Sequence, residues 1–207
     1  TGVELTLTGH IFRTKDFDWS ITANLAHNKT KILKLDSSKK KPYGGFYQAS
    51  NMDYTAYWYK EGGPLYNGFM PKYAGVNEKG EALYWVDEDI SDSERSGRPG
   101  QKLSYTTTNV NKASNYETGS LLPKVSGGLS TTVSYKGFDA SLSFDFQIGG
   151  KVYDMKYAGL LSPMTENSSG GAAIHKDYIK SWSTNNTSSN IPRWQFGDDN
   201  SHVSDRF

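Results

Sequence analysis

The chain has 207 residues and a formal net charge of +1, because 23 lysine and arginine residues nearly balance 22 aspartate and glutamate residues. This balance gives no electrostatic reason to expect a nucleic acid or an anionic membrane surface as partner. The absence of cysteine excludes a disulfide scaffold and any thiolate metal ligand or nucleophile. The content of 14 Tyr, 9 Phe and 5 Trp argues against wholesale disorder, and 21 glycines favour a β-rich protein with long polar loops.

The chain begins without the basic and apolar regions of a signal peptide. No apolar run approaches the 18 residues typical of a transmembrane helix. This observation does not exclude a membrane-spanning β-barrel. The strands of such a barrel alternate in polarity and give a weaker sequence signal than a transmembrane helix.

The first predicted elements are two strands of alternating polarity. Within residues 3–11 and again within 17–25, odd positions are mainly apolar and even positions are polar. Such alternation indicates strands with one apolar and one polar face. Residues 13–16 between them have room only for a tight turn, so the two strands are predicted to form a hairpin.

A second, weaker hairpin is predicted in the middle of the chain. Residues 66–76 and 81–86 flank the turn sequence Asn-Glu-Lys-Gly at 77–80. Pro71 weakens the first of these strands, because proline has no backbone N–H for a central ladder.

The clearest alternation lies late in the chain. Residues 125–135 and 138–148 alternate strictly around a short turn at Lys136 and Gly137. The return strand is long enough to cross a hydrocarbon core, which needs about 9–11 tilted residues. The three hairpins give six predicted strands.

Long polar segments join the hairpins, at 36–63, 87–124 and 153–207. Structureless loops of this length are uncommon in compact soluble domains. If successive strands pair, the short turns lie at one end of the sheet and the long loops at the other, as in outer-membrane barrels. Aromatic residues bracket the short turns, which suits a membrane-interface belt and equally the capped end of a soluble core. These residues are Phe12, Phe17, Trp19, Tyr135 and Phe138.

Several segments resemble one protein family. The sequence Gly-Ser-Leu-Leu-Pro-Lys-Val-Ser-Gly-Gly-Leu at 119–129, with Tyr-Lys-Gly-Phe-Asp at 135–139 and Phe-Gln-Ile-Gly-Gly-Lys-Val-Tyr-Asp at 146–154, is similar to SusC/RagA transporters. These are TonB-dependent outer-membrane proteins. Further matches follow in family order at 2–5, 17–20, 61–65, 68–69, 73–76, 182–186, 191–193 and 204–207. One departure is the stretch 106–115, which has no acidic residue where the family is often rich in Asp.

The resemblance implies an all-β fold of antiparallel up-and-down strands. Residues 1–207 would form part of a large transmembrane β-barrel domain, of about 22 strands with a plugged lumen and long extracellular loops. Six strands are too few to close a barrel, and open edges are not tolerated in lipid. The signal peptide, the plug, the segment that contacts TonB and the terminal strands are therefore expected outside this chain.

The resemblance also implies a function. It predicts active import of an oligosaccharide or peptide across the outer membrane of a Gram-negative bacterium. A SusD-like surface lipoprotein would act as a lid and TonB as the source of energy. No enzymatic activity, cofactor or nucleic-acid partner is expected.

In such a barrel the two faces of each strand have different surroundings. The polar positions predicted to face the lumen are Asp18, Ser20, Thr22, Asn24, Asp139, Ser141, Ser143, Asp145 and Gln147. The apolar positions predicted to face lipid are Phe17, Trp19, Ile21, Leu25, Leu142, Phe144 and Phe146.

No catalytic or metal-binding pattern stands out. The four histidines, His10, His27, His175 and His202, lack metal-ligand spacing. Neighbouring carboxylates at 87–89 and 198–199 would suit a glycosidase only if they faced each other across a cleft. We therefore predict no catalytic residue and no metal ligand.

One aromatic cluster is a candidate for binding. Tyr54, Tyr57, Trp58 and Tyr59 are close in sequence, and Trp182 lies in another polar segment. Aromatic faces beside polar groups suit sugars and peptides, so Tyr57, Trp58, Tyr59 and Trp182 are predicted to contact substrate. In an extended chain Tyr57 and Tyr59 share a face that Trp58 opposes. The alternative is that these rings pack the long loops together or against a partner protein.

An alternative to the transporter is a soluble β-sandwich, such as a glycan-binding or adhesin module. The apolar strand faces would then pack sheet against sheet.

Overall fold

The computed structural model describes residues 1–38, 43–49, 56–161, 173–194 and 204–207. Tyr54, Asp198, Asp199 and His202 lie outside these ranges. The strands in chain order are β1 (Gly2–Arg13), β2 (Phe17–Asn28), β3 (Gly45–Ala49), β4 (Ala56–Lys60), β5 (Asn67–Pro71), β6 (Tyr73–Val76), β7 (Ala82–Val86), β8 (Tyr105–Thr107), β9 (Asn115–Ser120), β10 (Val125–Tyr135) and β11 (Phe138–Ile148). Helix α1 spans Met155–Leu160, and 3-10 turns lie at Val110–Lys112 and Lys176–Lys180. Within the described ranges, none of the helices has the length and apolar character to cross a membrane.

The four longest strands form one antiparallel sheet in the order β1-β2-β10-β11, which we call the long sheet. The first and last predicted hairpins are confirmed as β1–β2 and β10–β11. Strand β2 pairs directly with β10, although residues 29–124 separate them in sequence. We call these residues the insert.

The register of the long sheet places the apolar positions of all four strands on one side. Leu25 lies opposite Leu5 on β1 and Gly127 on β10, and Gly127 lies opposite Phe146 on β11. Because side chains alternate along a strand, this register also gathers the polar positions on the other side. The long sheet therefore has one apolar and one polar face across its whole width.

A β-bulge interrupts the alternation in β1. The register shifts between His10 and Phe12, and Phe12 then lies opposite Trp19. The two rings stack with centroids 6.2 Å apart. The bulge thus brings an even-numbered residue onto the apolar face, at the end where the short turns lie.

The two short turns lie at the same end of the long sheet, as expected. The backbone N–H of Lys136, in the β10–β11 turn, donates to the carbonyl oxygen of Asp16 in the β1–β2 turn at 3.0 Å. The insert and the late segment (residues 149–207) therefore both leave the long sheet at its other end.

The expectation of six strands in one sheet is wrong. The turn at 77–80 does join a hairpin, β6–β7, but this hairpin belongs to a small sheet with β8. The predicted strand at 66–76 is two strands, because β5 ends at Pro71 and pairs with β9 in a third sheet, whereas β6 pairs with β7. Proline cannot donate to a continuing ladder, which explains the break.

The insert is a folded region with its own core, although its sequence predicts mainly loops. Trp58 and Phe69 are buried beneath the sheet β3-β4-β5-β9, and Tyr84 and Val86 beneath the sheet β6-β7-β8. The late segment packs on the insert, since the Tyr73 hydroxyl donates to the Asn190 carbonyl oxygen at 2.9 Å. The buried core therefore lies in the long connections rather than at the long sheet.

Candidate functional site

The polar face of the long sheet carries cross-strand hydrogen bonds between small side chains. The hydroxyl groups of Thr8 and Thr22 lie 3.1 Å apart, and the Ser143 hydroxyl donates to Ser130 Oγ at 3.0 Å. The positions predicted to face a lumen all lie on this face. The structure thus separates the two predicted sets onto opposite faces, and their assignment to lumen and lipid stays a prediction.

The apolar face of the long sheet is not covered by a second sheet among the described residues. The Leu142 and Phe144 side chains remain 54% and 56% exposed. A sandwich would bury such a face against a partner sheet. This exposure therefore gives no support to the soluble alternative.

The outer side of strands β3 and β4 carries a continuous row of four aromatic rings. The ring centroids of Phe46 and Tyr59 are 5.3 Å apart, those of Tyr59 and Tyr57 6.3 Å, and those of Tyr57 and Tyr66 5.7 Å. We call Phe46, Tyr59, Tyr57 and Tyr66 the aromatic row. Their spacing is that of favourable aromatic pairs, so the rings support one another as a platform.

The aromatic row is partly open to solvent and carries three tyrosine hydroxyl groups. Tyr66 is 47% exposed, and Tyr57 and Tyr59 are half-buried. Burial raises the pKa of the Tyr59 hydroxyl, and the neighbouring hydroxyls of Tyr66 and Tyr57 raise it further. The Tyr59 hydroxyl therefore stays protonated at neutral pH and can both donate and accept a hydrogen bond.

Glycine and an amide border the row. Gly68 lies opposite Tyr57 on one side, where the Thr118 hydroxyl occupies the place that a side chain would take, while Gln48 lies opposite Tyr57 on the other side. An open aromatic surface with an adjacent amide suits the apolar faces and hydroxyl or amide groups of sugars and peptides.

Trp58 lies on the opposite side of β4, as the alternation predicts for an extended chain. It is 1% exposed, with its ring 5.8 Å from Tyr43 and 5.3 Å from Phe69. This burial makes Trp58 a core residue in this structure. The Trp58 side chain therefore has no exposed surface with which to make its predicted contact with substrate.

Trp182 packs against the turn of the β6–β7 hairpin rather than joining the aromatic row. A Cβ atom on Gly80 would lie 2.5 Å from Trp182 Cε3. The Trp182 N–H donates to the Ile191 carbonyl oxygen at 2.8 Å, and the Arg193 N–H donates to the Gly80 carbonyl oxygen at 2.7 Å. Trp182 therefore packs the late segment against the insert. Its contact with substrate stays a prediction.

Two members of the aromatic row were missed by sequence reasoning. Phe46 reaches Tyr59 only through the β3–β4 register, and Tyr66 has a positive φ of 51°, which no sequence pattern signals. The alternation of Tyr57 and Tyr59 around Trp58 was the available clue, because it marks one aromatic side of a strand.

The carboxylates at 87–89 serve the structure of the insert. Buried Asp87 accepts hydrogen bonds from the backbone N–H groups of Asp89, Gln101 and Lys102 at 2.9–3.1 Å. Burial by itself raises the pKa of Asp87, but these N–H donors and the charge of Lys102 bring it below its ordinary value. Glu88 accepts instead from the Lys102 ammonium at 2.8 Å. No group of three or more potential metal ligands occurs in the described ranges.

Comparisons with known proteins find similarity in sequence and in structure. No known family profile matches the chain. It is 26% identical over 196 residues, 93% of its length, to a protein named TonB-dependent receptor P3 from Formosa agariphila. Its fold matches the solved structure of the RagAB peptide transporter with a TM-score of 0.64, at 21% identity over 96% of the chain.

The chain spans about a fifth of the length of both relatives, 18% of the receptor and 20% of the transporter chain. Their combined evidence confirms the resemblance to SusC/RagA-like TonB-dependent transporters. It also confirms the fold, a nearly all-antiparallel β segment of such a barrel whose sheets are not closed. The two relatives are named as a receptor and a transporter.

Proposed function

We propose that this chain is part of the β-barrel domain of a SusC-like TonB-dependent transporter, which imports an oligosaccharide or peptide across the outer membrane. The observation that carries the proposal is the exposed apolar face of the long sheet, continuous over four strands and backed by a polar face. Such a sheet is suited to lipid on one side and a water-filled lumen on the other.

The dimensions of the apolar face fit a membrane. From Phe17 to His27 strand β2 covers ten residue steps, about 33 Å along the strand. At a strand tilt of about 40° this length spans about 25 Å of membrane thickness, the height of the apolar band of outer-membrane barrels. The aromatic residues near the short turns then form one interfacial belt.

This orientation assigns the two ends of the long sheet. The short turns at 14–16 and 136–137 face the periplasm, while the insert and the late segment project outside the cell. Residues 1–207 then supply four strands of a larger barrel domain. The plug, the segment that contacts TonB, and the remaining strands belong to other parts of the transporter.

The polar face of the long sheet lines the route of the substrate through the barrel. The aromatic row contacts the substrate on the outer side of the membrane. The Tyr57 and Tyr59 rings stack on a sugar or peptide group while their hydroxyls and Gln48 offer hydrogen bonds. A SusD-like lipoprotein covers the substrate at this outer surface, and TonB supplies the energy for its release inward. Trp58 supports the row from behind, and Trp182 holds the late segment against the turn of the β6–β7 hairpin.

Uptake by the full-length transporter tests this proposal. Tyr57→Ala combined with Tyr59→Ala removes two stacked rings, each worth about 0.5–1.5 kcal/mol. Substrate affinity should fall by about 5- to 150-fold, with normal amounts of transporter in the outer membrane. Tyr105→Ala is the control, since Tyr105 is an exposed tyrosine on strand β8, in a different sheet from the aromatic row. Unchanged affinity and flux in the double variant would remove the aromatic row from substrate binding.

A further inference from the structure

A basic pocket lies where the long sheet ends and the insert begins. It has a volume of about 500 Å³ and is lined by His27, Lys29, Lys31 and Lys124, together with Gly62 and Leu122. None of the described residues that line it is acidic. The chain as a whole is nearly neutral, whereas three lysines around one cavity form a local concentration of positive charge.

The backbone around the pocket is held in place by hydrogen bonds from several elements. The Lys29 N–H donates to the Thr1 carbonyl oxygen at 2.8 Å, and the Lys124 N–H donates to the Ile148 carbonyl oxygen at 2.9 Å. His27 Nδ1 lies 2.6 Å from the Lys124 carbonyl oxygen. Because a carbonyl only accepts, Nδ1 donates this hydrogen bond, which holds the His27 ring against the Lys124 backbone.

The lysine ammonium groups of the pocket have no acidic partner among the described ion pairs. Lys29, Lys31 and Lys124 are exposed. The carboxylate of Glu61, the residue beside Gly62, accepts from the Leu35 backbone N–H at 3.1 Å. Glu4 pairs with Ala26 and so lies on the polar face, away from His27. The described lining of the pocket therefore carries positive charge only, and Glu61 and Glu4 lie outside it.

The position of the pocket points to its ligand. His27 follows Leu25 on the apolar face, opposite Val3, and the next residues leave the sheet. In the proposed orientation this level is the outer headgroup layer, about 25 Å above the aromatic belt at the short turns. Lysines at this depth meet the phosphate groups of anionic lipids.

We propose that this pocket binds the phosphate group of an anionic lipid headgroup in the outer leaflet. Lys29, Lys31 and Lys124 surround the phosphate, and the His27 ring lies beside them at the end of the strand. The inference rests on the proposed membrane orientation but goes beyond transport, because it assigns a lipid site outside the substrate route. A bound headgroup would fix the insert relative to the membrane surface.

Lipid binding to the full-length transporter tests the inference. The variant Lys29→Gln/Lys31→Gln/Lys124→Gln removes three charges from the pocket. The control Lys15→Gln/Lys79→Gln/Lys156→Gln removes three exposed lysines elsewhere. The wild type, the pocket variant and the control are titrated in detergent with lipid A, with phosphatidylcholine and with inorganic phosphate. Native mass spectrometry counts the bound molecules.

The wild type and the control should bind lipid A in preference to phosphatidylcholine. The pocket variant should bind it about 100-fold more weakly, from about five-fold for each lysine at a membrane surface. Equal lipid A binding by the pocket variant and the control would overturn the inference. Binding of inorganic phosphate as tight as that of lipid A would also overturn it, in favour of a soluble phosphate site.

Two further measurements keep the outcomes separate. If the triple variant fails to assemble, the single variant Lys31→Gln replaces it in the titration. Its affinity for lipid A should be about five-fold lower than that of the wild type. Failure of the inference with intact uptake leaves the proposed function standing. A wild-type protein that is monodisperse without detergent would instead contradict the proposed function itself.

Discussion

The indole N–H of Trp19 donates a hydrogen bond of 2.9 Å to Thr131 Oγ1, between residues 112 positions apart. The Thr131 hydroxyl in turn donates to the Ser20 carbonyl oxygen at 3.3 Å. Both side chains lie on the apolar face, where an unpaired polar group is costly. This chain of hydrogen bonds therefore joins the two hairpins of the long sheet without exposing a polar group to an apolar environment.

Thr131→Val should destabilise the transporter, because valine keeps the shape of threonine but cannot accept the Trp19 hydrogen bond. The expected loss is about 0.5–1.5 kcal/mol in the free energy of unfolding. Urea unfolding of the full transporter in detergent micelles, followed by tryptophan fluorescence, measures it.

Thr132→Val is the matched control, since Thr132 is the next residue of β10 and lies on the polar face opposite Ser20. The control should change stability less than Thr131→Val. An unfolding curve for Thr131→Val identical to that of the wild type would show that the Trp19 hydrogen bond contributes nothing measurable.

Phe144→Arg should impair assembly in the outer membrane. Phe144 lies near the middle of β11 on the apolar face, opposite Leu129. Arginine at the midplane of a lipid-facing strand costs roughly 2–4 kcal/mol. The amount of heat-modifiable transporter in isolated outer membranes reports the loss.

Ser143→Arg provides the comparison for this face assignment. Ser143 is the adjacent residue of the same strand, and its side chain lies on the polar face beside Ser130. Arginine there would reach a water-filled lumen and should leave assembly near normal. Normal levels of Phe144→Arg together with reduced levels of Ser143→Arg would reverse the proposed facing.

The strands of the long sheet were predictable, whereas the insert was not. Period-two alternation and short turns are local signals, so β1, β2, β10 and β11 could be read directly. No local signal shows that β2 pairs with β10 across the whole insert. The middle hairpin was found from its turn, but its membership in a separate sheet depends on contacts that are distant in sequence.

The candidate binding site shows the same limit. Alternation correctly placed Tyr57 and Tyr59 on one side of β4, with Trp58 on the other. It could not show which side is buried, because both sides are aromatic. Phe46 joined the row only through the register of β3 with β4.

Asp87→Asn should loosen the insert without affecting the long sheet. The Asp87 Oδ2 atom accepts from the N–H groups of Gln101 and Lys102, and an amide nitrogen at that position cannot accept either bond. An unpaired N–H group costs about 1–3 kcal/mol when fully buried, and these two are partly buried, so the loss should lie at the lower end of that range. Hydrogen exchange of the Gln101 and Lys102 amides in the full transporter should become faster.

The effect of Asp87 should depend on pH with a defined sign. Its pKa is lowered in the folded protein, since the N–H donors and Lys102 outweigh the effect of burial. A carboxylate with a lowered pKa stabilises the fold above its unfolded pKa, and this contribution is lost as pH falls through the folded value. The difference between the wild type and Asp87→Asn should thus be constant at neutral pH and shrink below about pH 4.

Asp89→Asn is the control for this experiment, because the Asp89 side chain is 68% exposed and lies 3.9 Å from the Lys102 ammonium. Exposed ion pairs contribute about 0–1 kcal/mol, so amide exchange at Gln101 and Lys102 should stay near the wild-type rate. Equal acceleration in both variants would mean that general charge, rather than the buried carboxylate, holds this part of the insert together.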